Sequence, residues 1–250
     1  MTIHDLSRAA ASLLVAGSLA ACTPAPETTM NSAAVPAPAG SSNTLSSAER
    51  AAGWRLLFDG TNLDQWRGYK QTDVPAGWQV VNGTLAKDKP VGDIVSKEQF
   101  GDFDLQIEWK IGEAGNSGLF YRGTEEFEKI YWTAPEYQLL DYIKAADNTT
   151  RLTCAGAAYG LYPSPPGHLS PVGQWNLTRI VARGPHVEHW LNGYKLVEYD
   201  LWSADWEAKV AASKFKSWPK YGRMKSGHLA IQGDHSGSLA FRNIKIRKLD

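Results

Sequence analysis

Eight residues do most to restrict the fold. Phe103-Asp104-Leu105-Gln106-Ile107-Glu108-Trp109-Lys110 alternates apolar and polar without a break. In a strand, successive side chains point to opposite faces, so Phe103, Leu105, Ile107 and Trp109 share one face and the acids and amide the other. That is the pattern of a half-buried strand in an antiparallel sheet. Trp175 to Arg183 and Leu239 to Leu249 also read as strands, rich in Ile, Val and Leu. His186 to Leu191 and Tyr194 to Tyr199 flank Asn192-Gly193, a pair that suits the type I′ hairpin turn. Helical character is confined to Ser203 to Lys216, with Asp205 as the expected cap, Trp206, Val210 and Phe215 on one side, and Pro219 as the stop. Many short strands with one minor helix predict an all-β, two-sheet antiparallel sandwich.

The front of the chain reads differently. Ala9 to Ala21 is apolar but shorter than the ~20 residues that cross a bilayer, and it ends in Leu19-Ala20-Ala21-Cys22. This order resembles a bacterial lipobox, which implies a lipoprotein signal peptide over 1–21 and acyl chains on Cys22. Acyl chains would hold the protein at a membrane surface without threading it through. Residues 22–47 are rich in Pro, Ala, Ser and Thr and are expected to form a flexible tether. The sandwich is then expected over 48–250, in the cell envelope, facing the periplasm or the exterior. Cys154 is expected as a small buried hydrophobe rather than a nucleophile.

Composition excludes one class of partner. The 250 residues carry 26 Lys and Arg against 26 Asp and Glu, so the basic footprint of nucleic-acid binding is absent. Ten Trp and ten Tyr suit both core filling and stacking on sugar rings. No dinucleotide fingerprint, phosphate loop, nucleophile elbow or zinc-protease motif occurs. His186 and His189, three apart on a strand, point to opposite faces and are not expected to share a metal. A calcium site from loop carboxylates and carbonyls stays open, although no motif announces one.

Several segments carry a more specific signal. They are Trp54 to Gly60 with Leu63 and Trp66, Asn116 to Arg122, Glu136 to Asp141, Gly156 to Tyr162, Trp190 to Gly193, Ile231 to His235 and Phe241 to Ile244. In this order they resemble the 3-keto-disaccharide hydrolase domain family, over roughly Gly53 to Asp250. The resemblance implies a concanavalin A-like jelly roll and cleavage of glycosides whose C3 hydroxyl has been oxidised to a ketone.

Local chemistry nominates residues within these segments. Glu136 and Gln138 share a strand face, while Asp141 falls on the other unless a bulge shifts it. The order Glu136-x-Gln138-x-x-Asp141 is similar to the E-x-D-x-x-E of curved-sandwich glucanases. With Gln in the middle and Asp last, an ordinary two-carboxylate mechanism is not expected. Arg122 offers a planar five-donor fork for sugar oxygens or a polarised carbonyl. His235 sits in a Gly-flanked loop and suits proton transfer. The expected catalytic groups are Glu136, His235 and Asp141. The expected substrate contacts are Arg122, Gln138, Glu108, Tyr159 and Gln232. A base, Glu136 or His235, would remove the C2 proton beside the ketone and the C1 leaving group would depart, giving a lyase, or a hydrolase if water adds back. The alternatives are a non-catalytic carbohydrate-binding lipoprotein and a structural envelope protein.

Overall fold

The computed structural model describes residues 42–249. The signal-peptide reading, most of the tether and Cys22 lie outside the described residues. The strands are β1 (Arg55–Leu56), β2 (Trp66–Gly68), β3 (Gln79–Val81), β4 (Thr84–Lys87), β5 (Ile94–Phe100), β6 (Phe103–Ile111), β7 (Asn116–Gly123), β8 (Glu136–Leu140), β9 (Asn176–Arg183), β10 (His186–Leu191), β11 (Tyr194–Asp200), β12 (Gly227–Ile231) and β13 (Leu239–Lys248). Among the described residues they form two antiparallel sheets. One runs β11-β10-β9-β6-β13-β4-β3, with β1 on β13. The other runs β2-β5-β12-β7-β8. The architecture is the two-sheet antiparallel sandwich that the strand pattern predicts, and the jelly roll that the family resemblance implies.

Period-2 burial makes the core. Phe103, Leu105, Ile107 and Trp109 of β6, with Phe241 and Ile246 of β13, meet Leu119 and Tyr121 of β7, Tyr137 and Leu139 of β8, and Leu229 and Ile231 of β12 between the sheets. Asp104 and Glu108 are also buried, against the half-buried expectation for β6. Arg179 and Arg247 donate to Asp104 at 2.7–2.9 Å, and Arg242 donates to Glu108 at 2.7 Å. Long arginine stems thus cover the outer face of this strand. Between the sheets His189 donates or accepts at Tyr121 Oη (3.1 Å) and lies 3.0 Å from Gly156 O. Burial pushes its pKa down to about 4, so it sits neutral in the core.

Asn192 and Gly193 both have positive φ (49° and 88°), as a type I′ turn requires, and they join β10 to β11. The predicted helix is α2 (Ala204–Ala212), followed by a 3-10 turn at Lys214–Ser217. Its cap is Ser203, whose Oγ accepts from Trp206 N, rather than Asp205. A second, unexpected helix, Ser47–Ala51, starts at a capping box of Ser46 and Glu49. The signal, Ser followed three residues later by Glu, was present in the sequence. To keep chain order we call this helix α1. Cys154 is 7 % exposed, in keeping with its expected burial.

α2 is clamped by a ladder of nearly parallel rings. Tyr199 and Trp206 lie 5.4 Å apart at 11°, Trp206 and Tyr221 5.9 Å at 2°, and Phe215 and Tyr221 4.1 Å at 3°. Most of the aromatic excess is therefore structural. The ladder also fixes the 3-10 turn after α2 against the outer face of the smaller sheet, where the cavity lies.

Candidate active site

The outer face of the smaller sheet follows from register. Gly118 pairs with Gln138, Phe120 with Glu136, and Ala230 with Phe120. Residues two apart repeat the face, so Glu136, Gln138, Phe120, Ala230 and Gln232 all point away from the larger sheet. Here a cavity of about 330 Å³ opens, lined by Glu136, Gln138, Gln232, His235, Tyr159 and Trp218 among others. Five of the eight nominated residues meet in it: Glu136, His235, Gln138, Tyr159 and Gln232. They come from β8, the segment after β12 and the loop beside β8, and are up to about a hundred positions apart in the chain.

Glu136 lies over Gly118. A Cβ at 118 would collide with its carboxylate, so glycine there makes room for the acid. Gln138, with its amide nitrogen turned to its acceptors, donates to Ser117 O (2.9 Å) and Glu136 Oε1 (3.0 Å). Burial pushes the Glu136 pKa up to about 8. The positive charge of Lys214 pulls it down, while Asp147, Asp93 and Asp234 add to the rise. This carboxyl therefore exchanges a proton near neutral pH, as a general acid or base requires.

The neighbouring groups are held by one another. Tyr159 N donates to Glu136 O (3.1 Å), which ties its loop to the edge of β8. Tyr159 Oη and Asn116 Nδ2 each donate to Asp147 Oδ2 at 3.2 Å. Lys87, buried at the end of β4, donates from Nζ to His235 O (2.7 Å) and Gly237 O (3.2 Å), which fixes the loop that carries His235. Asp93 accepts from Gly233 N at 2.8 Å, and burial pushes its pKa up to about 6. Tyr131 and Trp218, ring centres 5.6 Å apart, make an aromatic wall. Gln232 is 6 % exposed, and its Oε1 finds no hydrogen-bond partner among the described residues.

Three nominated residues lie elsewhere. Arg122 is buried at one end of the sandwich and is fully committed: Nε donates to Gly101 O (3.0 Å), Nη1 to Gly184 O (2.8 Å) and Nη2 to Asp102 (3.0 Å). The cause is a β-bulge. Phe120 pairs with Ala230 but Gly123 with His228, so β7 carries one extra residue, and Arg122 takes φ 53°. Its side chain leaves the face that Phe120 and Glu136 share. Glu108 belongs to the larger sheet and is held by Arg242 and Asn243. Asp141 directly follows β8, whose pairing with β7 has no bulge, and caps a turn, accepting from Ala114 N (2.7 Å) and Ile143 N (2.8 Å). Neither faces the cavity.

Other lining groups were not nominated: Lys214, Phe215, Trp218, Tyr131 and Asp147. These sit on connecting segments, as does Asp234, and no periodicity encodes the approach of such segments to a sheet face; Asn116, also in the lining, starts β7. The aromatic run Tyr131-Trp132 and the Trp218 before Pro219 were the available signals.

Among the described residues, the group of three acidic or His ligand atoms within 4.8 Å of one another is His186, Glu188 and Glu198, on the β10–β11 hairpin. Lys195 already pairs with Glu188 (3.6 Å) and with Glu198. In the cavity Asp147 spends an oxygen on Asn116 and Tyr159, and Asp234 pairs with Lys129 at 3.7 Å. The calcium site that the sequence leaves open enters no step of the reaction proposed below. His189, in the core, shares nothing with His186.

Residues 53–247 match the model of the 3-keto-alpha-glucoside-1,2-lyase-like domain. The chain belongs to that family. A 3-keto-disaccharide hydrolase from Bacteroides thetaiotaomicron is 32% identical over 234 residues, 80% of each chain. A Parabacteroides distasonis protein, provisionally named a glycosyl hydrolase, aligns with a TM-score of 0.79 at 33% identity, covering 84% of this chain and 100% of its own. A second from that organism aligns at 0.65 and 26% identity, over 78% and 99%. Membership of the lyase-like family and these relatives support a glycoside-cleaving enzyme.

Proposed function

We propose that the enzyme cleaves the glycosidic bond of 3-keto-glycosides through the proton on C2. A carbonyl at C3 acidifies that proton. Glu136, when ionised, takes it, and the C2–H electrons pass into a C2=C3 bond with the charge on the C3 oxygen. The enolate then collapses. The C3 carbonyl re-forms, a C1=C2 bond forms, and the C1–O bond breaks. The departing oxygen takes a proton from His235, which stands at the rim of the same cavity. Addition of water across C1=C2, hydroxyl to C1 and proton to C2, makes the overall reaction a hydrolysis; without it the enzyme is a lyase. Aromatic faces at Tyr131 and Trp218 suit the apolar face of a sugar ring.

One observation carries this reading. Glu136 is held in the cavity by Gln138, with a proton affinity suited to work near pH 8. Of the other carboxylates that line the cavity, Asp147 is bonded to Tyr159 and Asn116, and Asp234 pairs with Lys129 at 3.7 Å; the reading therefore draws its activation from the substrate's ketone.

The assay offers a 3-keto-glucoside and its unoxidised parent to the wild type and to Glu136→Gln. The 3-keto-glucoside is expected to be cleaved and the parent not, with a loss of about 10²–10⁴ in kcat for the variant. Cleavage of the parent alone, or a wild-type rate in Glu136→Gln, would contradict the proposal. We place the enzyme in the bacterial envelope, anchored through acylated Cys22. Cys22→Ala should then move it from the membrane fraction to the soluble one, and an unchanged distribution would count against the anchor.

A further inference from the structure

The proposed chemistry needs a positive group beside the C3 oxygen, and the nominated arginine is not there. Arg122 is buried and bound to Gly101, Gly184 and Asp102. Lys87 spends its ammonium on the carbonyls of His235 and Gly237. Lys129 pairs with Asp234 at 3.7 Å. Lys214 lines the cavity beside Glu136, and among the described residues it makes no ion pair.

Its backbone is well fixed. Ser213 Oγ donates to Val210 O (2.9 Å) and accepts from Phe215 N (3.1 Å), which caps the 3-10 turn. Phe215, the next residue, is buried in the ring ladder against Tyr221. The side chain itself is exposed and reaches over the Tyr159 ring, with Nζ 4.3 Å from the ring centre. Tyr159 is in turn fixed through Asp147. An ammonium on a flexible stem, parked on an aromatic face, can follow an oxygen that gains charge in the transition state.

We infer that Lys214 is the catalytic cation of this site, placed to stabilise the enolate oxygen that forms at C3 when Glu136 removes the C2 proton. This rests on the C2-abstraction reading. No atoms are transferred to lysine: it faces the developing oxyanion and releases it when the carbonyl re-forms. Removing one oxyanion-stabilising donor commonly costs about 10²–10³ in rate when the donor is buried, and an exposed ammonium is worth less. The same charge also favours the ionised form of Glu136, so its loss has a second signature.

The test follows exchange of the C2 proton of 3-keto-glucose in D₂O by NMR, which reads abstraction without a leaving group, alongside the pH profile of cleavage. Lys214→Met is expected to slow exchange about 10- to 100-fold and to move the Glu136 limb to higher pH. Lys214→Arg, which keeps the charge, should restore most of both. Exchange at the wild-type rate with an unmoved limb in Lys214→Met would overturn the assignment and leave C2 abstraction standing. Wild-type enzyme that cleaves the 3-keto-glucoside without exchanging C2 would overturn both.

Discussion

Glu136 sits where burial opposes its charge, and this has consequences for stability as well as rate. A carboxyl whose pKa rises from 4.5 to about 8 on folding binds its proton more tightly in the folded state. The stabilisation from that protonated form is complete below the unfolded value and is lost as pH rises through 8. Glu136→Gln is neutral at every pH. It should match the wild type near pH 4 and exceed it by roughly 1–3 kcal/mol at pH 9, after allowing for partial solvent access. Denaturant titrations at the two pH values check this, and equal stability at both would mean that the acid is not desolvated. The shared face of Glu136 and Gln138 was legible from strand parity alone. The raised pKa was not, since it depends on burial beneath distant loops and on the charges of Asp147, Asp93 and Asp234, against the opposing pull of Lys214.

At the scale of elements, the bulge in β7 decides what Arg122 does. Register against β12 is not written in β7 itself, which is why Asn116 to Arg122 reads as an ordinary strand whose last residue returns to the face of Phe120. With the bulge, Arg122 instead ties the β5–β6 turn to the β9–β10 turn through Gly101, Asp102 and Gly184. Its role is to clamp one end of the sandwich. Arg122→Met leaves Asp102 without its cation and three acceptors without donors, and should cost roughly 2–4 kcal/mol of stability while the folded fraction keeps its kcat. Wild-type stability with lost turnover would return Arg122 to the active site. Other elements were readable: the alternation in β6 and the Asn-Gly turn of β10–β11 are local signals that the fold obeys. The surprise on β6 lies on its outer face, where arginines from β9 and β13 bury Asp104 and Glu108, pairings that only sheet order reveals.

Across the whole molecule, the sandwich divides labour between its two faces. Interdigitating apolar residues fill the interior, and the smaller sheet turns a second face outward to carry Glu136, Gln138 and Gln232. Three connecting segments then close a cavity over it: the loop with Tyr159, the turn after α2 with Lys214 and Trp218, and the loop with His235. Among the described residues no helix is long and apolar enough to cross a membrane. The central claim is that this cavity breaks a glycosidic bond by way of the C2 proton, with Glu136 as the base. The most direct measurement is cleavage of a 3-keto-glucoside in D₂O, followed by mass spectrometry and NMR of the released sugar. The account predicts one deuterium at C2 for the wild type and loss of both label and cleavage in Glu136→Gln. Release of a sugar with protium retained at C2 would contradict it and point to direct displacement at C1.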